Sequence, residues 1–207
     1  MSELVLLGGG GHCISILDSV YRMDRYKDIV VLDPDKNKGN IILRSEVMGD
    51  DSLLESIRVS GCKYAFISVG SIKDTSLRRK LDLKLTENGY ILIKVIDPSA
   101  VVSEYSEIMD GVFIGKNCVV NAKTKIGRNA IINTASVIEH ECEIGDFTHI
   151  ACGSVLCGNV KVGNDCFIGA GSKITEGIRI GNNAVIGAGS VVLRDVKDNE
   201  VVRQIVK

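Results

Sequence analysis

Aromatic residues make up only 4% of these 207 positions, and tryptophan is absent. Any core is therefore filled by aliphatic side chains rather than bulky rings. Proline occurs twice. Neither sign of charge dominates: the net charge is −1 and the pI is near 6.3, which argues against nucleic acid or an anionic membrane as a general partner. No apolar run is long enough to span a bilayer, and Met1-Ser2-Glu3 carries no basic leader, so neither a membrane span nor a signal peptide is expected. The seven cysteines are odd in number and show no CxxC spacing. They are expected to be reduced thiols of a cytoplasmic protein, not a disulfide or zinc framework. Cys152 and Cys157 are the one close pair, and no metal site is expected there.

What the chain does have is a period. From Ile96 an aliphatic residue falls on every sixth position: Ile96, Val102, Ile108, Ile114, Val120, Ile126, Ile132, Ile138, Ile144, Ile150, Leu156, Val162, Ile168, Ile174, Ile180, Ile186 and Val192. Four residues after each comes a short side chain, Cys118, Cys142 and Cys166 among them. Neither the helical period nor simple strand alternation produces this. It is a signature of a parallel β-helix, in which equivalent side chains stack inward from coil to coil. Gly127, Gly145, Gly163 and Gly181 recur at three times that period. One coil is thus a triangle of three short strands, with these glycines stacked down one corner where a Cβ has no room.

Residues 1–95 read differently. Apolar runs at Leu4–Leu7, Ile29–Leu32, Tyr64–Val69 and Ile91–Val95 alternate with two helical stretches. The first is expected to turn Ile14, Leu17, Val20 and Tyr21 to one face, and the second Leu77, Leu81 and Leu85. Strands alternating with helices imply a small Rossmann-like parallel sheet, whose ligands bind beyond the carboxyl ends of the strands. Those ends carry Gly8-Gly9-Gly10-Gly11-His12, Asp33 and Gly70. The expected architecture is an α/β domain over 1–95 and a β-helix over 96–207, the change falling near Asp97-Pro98.

The glycine run reads G-x-G-x-x-C, with Cys13 where the dinucleotide fingerprint has its third glycine. Nothing downstream suits hydride transfer. The run either merely links strand to helix or holds the phosphates or sugar of a nucleotide-linked substrate on free N–H groups, with Asp33 in range of ribose or base. In the coil, His140 sits near a corner with Glu141 directly after it and Glu139 and Glu143 close by. It is either a surface histidine in an acidic patch or a general base whose basicity a carboxylate raises.

The stretch Asn133–Ile150, NTASVIEHECEIGDFTHI, together with the Gly8–His12 loop, resembles the bacterial left-handed β-helix sugar acetyltransferases. These include sialic acid O-acetyltransferase and the N-acetyltransferases of nucleotide-linked amino sugars. The resemblance implies a homotrimer with acetyl-CoA running along a groove between subunits. It gives His140 the role of base, Glu141 that of raising its basicity, and Gly158, stacked one coil on, the N–H that holds the thioester oxyanion. It implies that His149 contacts acetyl-CoA, that Ala170 and Ala188 line the pantetheine groove, and that Gly10, Gly11, His12, Asp33 and Gly70 hold the nucleotide sugar. The chain departs from the family at Cys13-Ile14-Ser15, where a small residue and a lysine are usual, and in lacking a Gly-x-Pro-Ala segment after the last coil. Lys161, Lys173, Arg179 and Arg194 are candidates for the phosphates of CoA or simply a solvated face. The expected activity is N-acetylation of a UDP- or GDP-linked 4-amino sugar for surface glycan synthesis. The alternatives are a sialic-acid-type O-acetyltransferase and a non-catalytic, sugar-binding β-helix.

Overall fold

The computed structural model describes residues 2–203. Strand β1 (Leu4–Leu7) is apolar at every position and buried on both faces, as a central parallel strand must be. It pairs in parallel with β2 (Ile29–Leu32) on one side and β5 (Tyr64–Ile67) on the other. A short antiparallel pair, β3 (Ile41–Ile42) and β4 (Ser45–Gly49), extends the sheet past β2, and β6 (Ile91–Leu92) closes the edge beside β5. Helices α1 (Gly11–Met23), α2 (Leu54–Val59) and α3 (Ser76–Glu87) pack on this sheet.

Three expectations need correction here. Helix α1 buries Cys13, Ile16, Leu17 and Val20, while Ile14 is 48% exposed. The buried stripe runs i, i+3, i+4, i+7 from Cys13 and leaves Ile14 off it. Leu77 is likewise 51% exposed, because it borders a cleft rather than the core under Leu81 and Leu85. The strands expected over 64–69 and 91–95 are shorter: β5 ends at Ile67, β6 at Leu92, and Val95–Ile96 already pairs with Phe113–Ile114 in the coil. The N–H of Val95 donates to the Val112 carbonyl, so the backbone ladder of the β-helix captures it.

From Val95 onward, two-residue strands build three parallel sheets, each strand pairing with the strand eighteen residues on, as in Phe113↔Ile131 and Val119↔Val137, until the last pair, Val185↔Val201, where the offset drops to sixteen. The inward residues stack into one continuous core, with Ile132, Ile138, Ile150, Leu156, Ile168, Ile174 and Ile186 wholly buried. The short inward residues do more than fit. Ser136, Ser154 and Ser172 each donate their hydroxyl to the carbonyl fifteen residues ahead, and Cys118, Cys142 and Cys166 place their thiols on equivalent carbonyls. These three thiols are free, and burial pushes each up to about 11.

At the corner holding the period-eighteen glycines, each coil's Asp or Asn side chain accepts the N–H of the coil before it. The ladder runs Arg128 to Asp146, Asp146 to Asn164, Asn164 to Asn182, and Asn182 to Asp198. A Cβ on Gly145 would stand 2.5 Å from the backbone of Gly163. The second residue of the turns takes positive φ, as at Asn129, Glu141 and Asn183.

The three faces differ outward. One carries Val95, Phe113 and Ile131, buried under the N-terminal domain. The second presents Val101, Val119, Val137, Val155, Lys173 and Val191, of which Val101 is 67% and Val191 59% exposed. The third is a ladder of charge, Glu107, Lys125, Glu143, Lys161 and Arg179. Ion pairs clip the N-terminal domain to the coil: Arg22–Asp97, Arg79–Asp165 and Arg128–Asp82.

Candidate functional site

The glycine run divides into two jobs. Gly8 has φ +106 and no room for a Cβ beside Val69, and Gly9 is packed under Lys36 and Ile42. A Cβ on Gly10 or Gly11 would meet nothing within 4 Å. Those two line a cleft of about 730 Å³ with His12, Asp33, Gly70, Leu77, Lys80 and His149. No side chain caps α1 and no acid sits in its first turn, so its N-terminus is an open anion-binding end. The Asp33 carboxylate accepts the N–H groups of Gly9 and Asp35, which ties the glycine loop to the end of β2. Gly10, Gly11, His12, Asp33 and Gly70 therefore line one cleft.

His12 packs edge-on against Phe113, and its buried Nε2 has no partner among the described residues. Burial, then the nearby Arg78 cation, brings its pKa down to about 3, so the ring is neutral. His149 projects outward from the covered face of the coil and is 8% exposed. Its Nδ1 lies 2.8 Å from the Ser71 carbonyl and its Nε2 3.3 Å from the Asn133 amide. Nδ1 thus carries the proton and Nε2 accepts; burial lowers the pKa, against the opposing pull of the Ser71 hydrogen bond. Ser71 and Arg78 were not singled out by sequence, since nothing in their local pattern marks them; Asn133 opens the stretch that carries the resemblance but was given no role.

His140 is elsewhere. It lies at the corner between the valine face and the charged face, the vertex opposite the covered face, half a coil from His149. His140 and Glu141 form the turn, both exposed, with Nδ1 3.3 Å from Glu141 Oε2. The imidazole contact, then Lys123 at 3.5 Å, holds the Glu141 carboxyl below its ordinary value. The His140 ring lies directly over Gly158: a Cβ there would stand 2.6 Å from Cε1 and 2.7 Å from Nε2. The backbone register is set by Asn159 N–H donating to the His140 carbonyl at 2.9 Å. No group among the described residues accepts the Gly158 N–H.

Ala170 and Ala188 stack at a third place, the corner between the covered and valine faces. Within one chain the structure brings together the five loop residues and His149, and separately His140, Glu141 and Gly158. Of the four basic candidates, Lys161 and Arg194 are paired with Glu143 and Glu200. Lys173 has no acidic partner among the described residues and stands on the valine face. The chain's last residues, 204–207, where a Gly-x-Pro-Ala segment is missing, lie outside the described residues. Among the described residues no cluster of His, Cys, Asp or Glu could hold a metal ion, and no helix is long and apolar enough to cross a membrane.

Residues 105–140 and 159–194 match the family described as bacterial transferase hexapeptide (six repeats), and residues 3–82 match the PglD N-terminal domain. A histidine-to-asparagine variant of perosamine N-acetyltransferase from Caulobacter crescentus, solved with CoA and GDP-perosamine, is 33% identical over all of this chain and 95% of its own, with a TM-score of 0.92. The acetyltransferase domain of PglB from Neisseria gonorrhoeae, solved with acetyl coenzyme A, is 29% identical over 97% of this chain and 95% of its own, with a TM-score of 0.89. WeeI from Acinetobacter baumannii, at 21% identity and a TM-score of 0.83, shares the fold. With the coil, the N-terminal domain and an end-to-end relative all in agreement, the chain belongs to the left-handed β-helix, hexapeptide-repeat sugar acetyltransferases.

Proposed function

We propose that the protein transfers the acetyl group of acetyl-CoA to the amine of a nucleotide-linked amino sugar, a UDP- or GDP-4-amino sugar, in surface glycan synthesis in the cytoplasm. The observation that carries this is the His140 ring lying on Gly158 with its Nδ1 against Glu141. That contact leaves Nε2 as the free basic nitrogen, and it sets the base beside an uncommitted backbone N–H. The relatives solved with CoA and GDP-perosamine support the choice of donor and acceptor.

The chemistry follows. The neutral amine attacks the thioester carbon, a C–N bond forms, and the charge moves to the oxygen. The Gly158 N–H steadies that oxyanion, a role backbone donors fill well. His140 takes the proton shed by nitrogen, Glu141 orienting the ring and offsetting its charge. Collapse breaks the C–S bond, and the thiolate leaves with the proton.

The placement of the two half-sites supports a homotrimer. The nucleotide cleft lies on the covered face and His140 on the opposite vertex, so one chain cannot bring substrate to its own base. A neighbour packed on the uncovered valine face can set its cleft, with His149, against the His140 corner. His149 then contacts acetyl-CoA from the adjacent subunit, and Ala170 and Ala188 leave room for the pantetheine arm at that seam. A stripe of valines open to water is the kind of apolar surface that a closed symmetric assembly buries.

The test is thiol release from acetyl-CoA with UDP- and GDP-linked 4-amino sugars against free and CMP-linked sialic acid, using wild type and His140→Ala. Release with an amino sugar alone, lost in the variant, is expected. Release with sialic acid alone would shift the reading to O-acetyl transfer. Turnover undiminished in the variant would remove His140 as the base.

A further inference from the structure

Arg78 heads the fully buried side chains by size, and it is 1% exposed. No carboxylate touches it. Nη1 donates to the Val69 carbonyl and, at 3.4 Å, to that of Ile67, while Nη2 donates to the Asn129 carbonyl at 2.7 Å. Nε has no partner among the described residues. The nearest acid, Asp82, spends its oxygens on the side chains of Arg128 and Asn129. Burial pulls the guanidinium down to about 10, which leaves it charged at neutral pH. A buried cation held only by carbonyls is an expensive way to fill space, since an apolar side chain of like volume would avoid the desolvation.

Its contacts show what the charge does there. Two of the three carbonyls belong to the segment leading from β5 into the wall of the cleft, and the third belongs to the coil. Two residues past Val69, the Ser71 carbonyl accepts from His149. The wall is therefore pinned to the β-helix at two points, with Gly70 between them lying 3.4 Å from the His12 Cβ where its own Cβ would be. We propose that Arg78 is a positioning residue for the substrate's diphosphate, which its fork and charge serve through the cleft wall without touching it. The fork sets the distance between that wall and the open N-terminus of α1, and the cation behind it favours an anion there. The same charge opposes protonation of both His12 and His149, whose pKa values it lowers after burial. Both imidazoles facing the substrate thus stay neutral. This inference rests on reading the cleft as the nucleotide-sugar site.

Calorimetry with UDP, GDP and acetyl-CoA on wild type, Arg78→Lys and Arg78→Met tests it, together with NMR titration of His12 and His149. Lysine keeps the charge but cannot span three carbonyls. Nucleotide binding is expected to weaken about tenfold in Arg78→Lys and further in Arg78→Met, with acetyl-CoA binding, which reaches this wall only through His149, reduced much less. The two imidazoles should titrate higher in Arg78→Met and not in Arg78→Lys. A folded variant that binds nucleotide within twofold of wild type would overturn the proposal, as would equal loss of both ligands, which marks a merely structural role. Wild type that binds neither UDP nor GDP would instead overturn the reading of the cleft, and the proposal with it. If Arg78→Met does not fold, Arg78→Lys decides alone.

Discussion

Glu141 sits at φ +61, a left-handed conformation that costs a residue with a Cβ about 1 kcal/mol. The coil imposes this on the second residue of its turns, and Lys123, Ala135 and Phe147 accept it too. At this corner the strain turns a carboxylate back onto the neighbouring imidazole. Gly158 is required for a different reason: its φ is ordinary, but the His140 ring occupies the place of its Cβ. Gly158→Ala is expected to leave the melting temperature within a degree or two and to lower kcat about 100-fold, because the methyl pushes the base off its position. Steady-state kinetics beside thermal melts check it, and an active Gly158→Ala would show that the ring contact is incidental. His140 and Glu141 were legible as a pair from their adjacency. The tautomer of His149 was not, since the Ser71 carbonyl that sets it lies 78 residues away.

At the scale of the element, the coil is held by three repeating devices: the aliphatic stack, the short side chains that reach the carbonyl fifteen residues on, and the Asx ladder. Glycines serve it in two ways that substitution separates. At Gly145 a Cβ would strike the backbone of Gly163 at 2.5 Å, whereas at Gly153 there is open space but φ is +68. Gly145→Ala is expected to cost about 3 kcal/mol, because no flexible side chain can yield. Gly153→Ala is expected to cost about 1 kcal/mol from backbone strain alone. Urea denaturation of the two variants measures the difference, and equal losses would refute the distinction. The period announced Gly145 and left Gly153 unmarked. It did not reveal that Cys118, Cys142 and Cys166 donate to carbonyls, because a thiol at a small position looks the same whether or not it bonds.

At the scale of the whole molecule, two histidines are buried neutral between the domains. The pKa of His12 in the folded protein is about 3 against an ordinary 6.5, and that of His149 is also lowered. Below 6.5 the unfolded chain binds protons that the native state refuses. Stability is therefore fully present above about pH 6.5 and falls as pH drops toward 3, by about 1.4 kcal/mol per pH unit for His12. Denaturation between pH 7 and 4 should show this acid limb, and His12→Gln should flatten it. An unchanged slope in His12→Gln would mean that the ring is protonated in place.

The β-helix was readable from the sequence because its strand pairs from Val95 to Val192 fall at one fixed offset: a residue meets its equivalent eighteen positions on, and a fixed offset prints itself as a period. The α/β order of the first domain was readable for a similar reason, since each element is local, although helix phase slipped at Ile14 where packing against Phe113 and the sheet set the stripe. Only the tertiary structure could decide which residues share a site. The cleft joins the α1 start to His149, Arg78 reaches Asn129, and Asp33 holds Gly9. The separations in these contacts have no common interval. Nothing in the chain repeats to announce them, and they exist because one domain docks on one face of a triangle and leaves His140 on the opposite vertex.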